Sequence, residues 1–147
     1  MRIFLVLVFS VLTAMTICAV QSTDPGRIAV PKVTYCELIK HPDRYHNQVV
    51  QVEGVFQRDF EQSFLSDKTI CEGSTPSQTW VGYDKSFVMD GDSEEAQTNS
   101  KIATGFGKWS LTAIGRFRRA EGSERFGHLG CCRFQFTLMK IVNSEKL

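Results

Sequence analysis

Glu61, Asp67 and His128 have the types and settings for acid–base work, each at a strand end or in a loop, where sites tend to sit. A carboxylate and an imidazole can pass a proton between them, and Arg116 could hold an anion beside them. Together these four are the ingredients of phosphoryl or related chemistry on an anionic substrate. The structural reading competes directly: Glu61 and Asp67 hold a hairpin, and His128 orders the glycine-rich turn Phe126-Gly127-His128-Leu129-Gly130. The four are therefore candidate ligand-binding residues, and no catalytic residue is assigned.

The thiols come next. Cys36, Cys71, Cys131 and Cys132 follow an apolar leader that contains Cys18. An even number of cysteines in an exported domain favours disulfides, and four allow three connectivities. Neighbours in a strand point to opposite faces, so Cys131 and Cys132 make awkward partners for each other. The expected bond is Cys36 to Cys71. The other pair is left as a strained vicinal disulfide, two buried thiols or one reactive thiol. The chain has no C-x-x-C or H-x-x-x-H spacing, so neither metal nor cofactor is expected. It also lacks a phosphate loop, a G-x-S-x-G elbow and a dinucleotide fingerprint.

Arg116, Arg118, Arg119, Arg125 and Arg133 interleave with Phe117 and Phe126, a composition that can hold single-stranded nucleic acid. Export argues against that partner, and Phe117 is expected to face the core. The bland alternative is a solvated face neutralised by acids. Charge supports it: residues 23–100 hold 7 Lys and Arg against 13 Asp and Glu, and residues 101–147 hold 9 against 3. Two halves of opposite sign can pair across one sheet.

The elements that must position these groups follow from patterning. Arg2 and the apolar run Ile3–Val20, ended by Gln21, Ser22 and Pro25, read as a secretory signal over residues 1–22. Residues 23–32, with two prolines and a glycine, form an extended leader. The domain then occupies residues 33–147. Thr34 with Glu37 makes a capping box for a short helix that Pro42 ends. Val49–Gln57 alternates as a strand with Val50, Val52, Gly54 and Phe56 on one face. Ser63–Lys68 and Thr79–Tyr83 are two more strands. Residues 84–104 are a polar connection with a helical turn at Ser93–Gln97. Lys108–Arg118 puts Trp109, Leu111, Ala113, Gly115 and Phe117 on one side, and Cys132–Asn143 is the last strand.

Five short strands, a glycine within the first, and a crossover after the third predict a mainly β fold: a five-stranded Greek-key, OB-fold-like barrel with a short N-terminal helix. The phrase Cys36-Glu37-Leu38, then Pro42, Tyr45 and Val50-x-Val52-x-Gly54, resembles the opening of small exported bacterial proteins with OB-like barrels. Glu61-x-x-x-Leu65-x-Asp67 and Phe126-Gly127-His128-Leu129-Gly130 are similar to that group as well. The resemblance spans most of Val33–Val142, and it implies a fold and a compartment but no activity. His46 stands where the group more usually has glycine, and the Cys131-Cys132 pair is local to this chain. The expected function is a non-catalytic binding or interaction module of the cell envelope, periplasmic or extracellular. It would have no membrane span once the signal is cleaved. Its expected partner is an envelope protein or an anionic glycan rather than nucleic acid. A small exported hydrolase acting on a phosphodiester or other anionic substrate is the alternative.

Overall fold

A computed structural model describes residues 29–67, Cys71 and residues 78–147. The signal and most of the extended leader lie outside the described residues, as does the end of the third expected element at Lys68. Thr34 caps the first helix as its spacing predicts: its hydroxyl accepts from the Glu37 amide at 3.1 Å. The reciprocal half of the box does not form, because the Glu37 carboxylate accepts from the Tyr45 hydroxyl instead. Helix α1 (Tyr35–Lys40) buries Tyr35, Leu38 and Ile39, and Pro42 opens a second short turn of helix, α2 (Pro42–Tyr45).

The strands are β1 (Lys32–Thr34), β2 (Val49–Arg58), β3 (Ser63–Ser66), β4 (Thr79–Tyr83), β5 (Gly107–Arg119) and β6 (Phe134–Lys146). β2 runs antiparallel to both β3 and β5, β5 to β6, and β3 to β4, while β4 and β6 are parallel. Five strands thus close a ring of pairings in the order β2-β3-β4-β6-β5. The sixth, β1, pairs parallel to β2 at Gln51–Glu53, on residues that β3 leaves open. This corrects the expected five strands: Lys32, read as leader, begins a strand of its own. Register shifts at Thr112/Ala113 and Ile114/Gly115 break the long β5–β6 ladder and increase its coil.

The alternation read from β2 and β5 fixes which side is inside. Val50, Val52 and Phe56 from β2 pack with Trp109, Leu111, Ala113 and Phe117 from β5 and with Phe136 and Leu138 from β6. Each fully buried phenylalanine contributes about 1.5–3 kcal/mol through removal from water. Gly54 serves this packing rather than a bulge, since a Cβ there would stand 2.7 Å from the Ser66 carbonyl oxygen. The polar connection holds more order than its composition predicts. It folds into α3 (Glu94–Thr104), an eleven-residue helix capped by Ser93, with Ile102 and Ala103 against the core.

A second, smaller cluster lies apart from the first. Phe64 and the half-buried Trp80, from β3 and β4, are covered by Ala120, Phe126 and Cys132 from the β5–β6 connection. Cys132 therefore sits before the last strand, which starts at Phe134 and runs to Lys146 instead of spanning Cys132–Asn143. Cys36 and Cys71 form the expected disulfide, closing a loop of sequence separation 35. Among the described residues no helix is long and apolar enough to cross a membrane.

Candidate functional site

Two connections meet at one edge of the ring. The first joins β2 to β3 and is a tight turn set by Asp59. Its amide donates to the Gln62 carbonyl at 3.0 Å and its carboxylate accepts from the Gln62 amide at 3.0 Å. An Asp turn of this kind needs nothing from the intervening side chains, so Phe60 and Glu61 project outward. Phe60 is 86% exposed and stacks on Phe106, the exposed residue just before β5, at 6.5 Å between rings.

The second connection, residues 120–133, folds back over the outer side of β3 and β4. The Ala120 amide donates to the Arg133 carbonyl, and Phe126 and Cys132 exchange a pair of backbone hydrogen bonds at 2.9 and 3.1 Å. Arg118 clamps the fold by pairing with Glu124 at 2.9 Å while its guanidinium lies 5.0 Å from the Phe126 ring. Inside that bridge the chain turns through Gly127 (φ 81°), Leu129 (φ 55°) and Gly130 (φ 64°). Gly127 is required there because a Cβ would come within 2.4 Å of the Trp80 ring. Leu129 has no such excuse: it holds a left-handed conformation costly for a branched side chain while standing 92% exposed.

The turn brings His128 to Glu61. Nε2 lies 3.5 Å from the Glu61 Oε2, and both side chains are about half exposed. This pair joins the two connections, with Phe60 preceding one partner and Leu129 following the other. The other two sequence candidates lie elsewhere. Asp67 follows β3 at the end opposite Glu61, with Oδ2 at 2.6 Å from the Cys36 sulfur and 3.4 Å from that of Cys71. Bonded sulfurs carry no proton, so these are contacts and not hydrogen bonds. The three ligand atoms lie within 4.8 Å of one another, but with the disulfide formed only the carboxylate is a hard donor. Asp67 also helps line a groove of about 550 Å³ between β1, α1 and β2, where Lys32, Glu37 and Glu53 add charge. Arg116 donates to the Asn47 carbonyl at 2.7 Å. Its charge, together with hydrogen bonds from the Ser86 amide and hydroxyl, which act most strongly, holds the Asp84 carboxyl below its ordinary pKa.

The arginine-rich stretch is largely paired. Besides Arg118, Arg119 meets Asp43 of α2 at 2.6 Å, one ion pair between the basic and acidic halves of the chain. Arg125 donates to the Gly122 and Glu124 carbonyls, and Phe117 and Phe126 are both buried. The two rings interleaved with those cations in sequence, Phe117 and Phe126, are therefore not presented to stack a base. Among the exposed apolar residues, Phe60, Phe106 and Leu129 stand in or against these two connections, and sequence reading did not single them out. Phe60 alone gave a local signal, as a single aromatic among Asp59, Glu61 and Gln62.

The chain matches no protein-family model and no curated protein.

Proposed function

We propose that this protein is a non-catalytic binding or interaction module of the cell envelope, exported to the periplasm or beyond. Its ring is read as a Greek-key OB-type barrel with β1 added at one edge. The strand order, the parallel β4–β6 pair and the helix between β4 and β5 support that reading. In OB-type barrels, ligands are taken by the loop after the first barrel strand and the loop before the last. Here those are the connections bearing Glu61 and His128. The Cys36–Cys71 disulfide agrees with an oxidising compartment.

The observation that carries the reading is Leu129, strained and exposed beside the His128–Glu61 pair. Strained, solvent-facing backbone of this kind collects at ligand clamps and binding loops. With Phe60 it frames a mixed apolar and ionic surface suited to an envelope protein or an anionic glycan. A hydrolase would need Glu61, Asp67, Arg116 and His128 around one bond, and the positions of Asp67 and Arg116 weigh against it. The outer side of β3 and β4, a usual place for nucleic acid on this fold, is covered by the chain's own residues 126–132.

The test is a thermal-shift panel of the purified protein, disulfide intact, against sulfated and carboxylated oligosaccharides and fractionated envelope proteins. A ligand at a hundred times its Kd should add about 2.7 kcal/mol. The reading expects a hit that the double variant Phe60→Ser, Leu129→Gly abolishes while keeping its own fold. A hit that survives in that variant would place binding elsewhere on the molecule. Turnover of an anionic ester that is lost in Glu61→Gln would restore the hydrolase.

A further inference from the structure

Cys131 and Cys132 are consecutive in sequence yet occupy opposite environments. Cys131 is free and exposed; Cys132 is free and 3% exposed, packed with Phe64, Ala120 and Phe126. Extended backbone would send the two side chains to opposite faces. Cys131 instead takes a helical conformation (φ −66°, ψ −28°) at the exit of the 128–130 turn, which breaks that alternation. The Cys131 thiol donates to the Phe126 carbonyl at 3.6 Å. Burial, then the neighbouring Cys131 thiol, pushes the Cys132 pKa up to about 12. The inner thiol is thus protonated and sheltered, and the outer one is the group a solvent-borne reagent meets.

We propose that Cys131 and Cys132 form a thiol–disulfide exchange site, with Cys131 the entry thiol and Cys132 the resolving one, taking small or peptide disulfides as substrate. In the first step Cys131 loses its proton to solvent and its thiolate attacks one sulfur of R–S–S–R. A Cys131–S–S–R bond forms, and R–S⁻ leaves and is protonated. In the second, Cys132 attacks the Cys131 sulfur and its proton passes to the departing R–S⁻. The Cys131–Cys132 bond forms, the Cys131–S–S–R bond breaks, and the second half leaves as R–SH. Two protein thiols are oxidised and one external disulfide is reduced to two thiols, so no other oxidant is needed. The product is reversible by construction. Adjacent Cα atoms are about 3.8 Å apart across a trans peptide, closer than the roughly 4.4–6.8 Å that disulfides prefer, and strained disulfides are the readily reduced ones.

Closing that bond draws the Cys132 sulfur out of its contacts with Phe64 and Phe126 and alters the turn that presents His128 and Leu129. The exchange site therefore lies under the proposed binding loop, although its chemistry does not depend on that loop having a ligand.

The experiment uses oxidised glutathione as the probe on the purified protein with Cys36–Cys71 intact, followed by quenching and peptide mapping without reduction. Wild type should pass through a glutathione adduct on Cys131 and end as a Cys131–Cys132 disulfide, with both glutathione halves released. Cys132→Ala, which keeps a small apolar group in the buried site, should stop at the Cys131 adduct. Cys131→Ser should stay unmodified on the same timescale. A first adduct on Cys132, a wild-type adduct that never resolves, or Cys131→Ser reacting as fast as wild type would each overturn the assignment.

Discussion

Replacing Gly127 by alanine tests the way residues 120–133 are seated, and the structure supplies the magnitude. At φ 81° and ψ −176° the backbone is in a region open to little besides glycine, costing about 1–3 kcal/mol for another residue. The added Cβ would also stand 2.4 Å from Cε3 and 2.7 Å from Cδ2 of Trp80. That ring cannot simply slide away, because it is set edge-on against Phe64 at 5.9 Å. Forced overpacking of this kind costs about 1–3 kcal/mol more. The loop can limit the damage by lifting off, which forfeits the burial of Phe126, about 2–3 kcal/mol, and its contact with Arg118, about 0.5–1 kcal/mol. The expected loss is therefore about 3 kcal/mol, a fall of about 10–15 °C in Tm for a domain of this size. Denaturant melts of Gly127→Ala, Trp80→Ala and the double variant separate the causes. Trp80→Ala removes the clash but leaves the backbone strain, so the two changes should couple by about 1–3 kcal/mol. A Gly127→Ala protein melting within about 2 °C of wild type would refute the argument, and so would strictly additive effects.

Replacing Cys36 and Cys71 together by serine should cost about 3–4 kcal/mol on the chain-entropy account of a loop this long. Non-reduced peptide maps of wild type should show the two peptides joined, and finding both alkylated as free thiols would contradict the structure. Leu129→Gly should leave stability unchanged or raise it by up to about 1 kcal/mol, since relief of the left-handed strain outweighs the extra freedom of glycine in the unfolded chain. A clear loss of Tm in that variant would show the side chain to be packed rather than presented. Asp84 gives the pH dependence. Its folded pKa lies below the ordinary value, with hydrogen bonds from Ser86 as the main cause. The stability it contributes is therefore present above about pH 4 and lost as pH falls through the depressed folded value. Tm measured from about pH 5 to about pH 2 should fall less steeply in Asp84→Asn than in wild type, and parallel curves would rule this out.

How much of this could be read from residues alone depended on whether the cause was local. β2 and β5 showed their inner faces because both alternate over a full strand with one side buried. The disulfide was legible because Cys36 precedes the first long strand and Cys71 follows the second, so one bond ties the two segments together. α3 was reduced to a single turn for a physical reason. One of its buried positions is Asn99, whose side chain donates to the Val88 carbonyl at 2.8 Å, and a polar residue on the inner face erases the apolar stripe that marks a helix. β1 was missed because three residues cannot show a period, and its pairing with Gln51–Glu53 exists only once β2 is in place.

The site was harder to read for the same reason, taken further. Glu61 and His128 were both singled out, but their meeting depends on the β5–β6 connection lying over Phe64 and Trp80 instead of extending into solvent. That seating needs a glycine at 127, a bridge between Phe126 and Cys132, and a leucine held at positive φ, and only the first leaves a mark in sequence. Asp67 shows the converse. Its type and its place at a strand end matched those of Glu61, yet β3 carries the two carboxylates to opposite ends, one to the exposed loops and one to the disulfide. Residue type selects candidates for chemistry; the connections that a fold can afford to strain decide which of them share a surface.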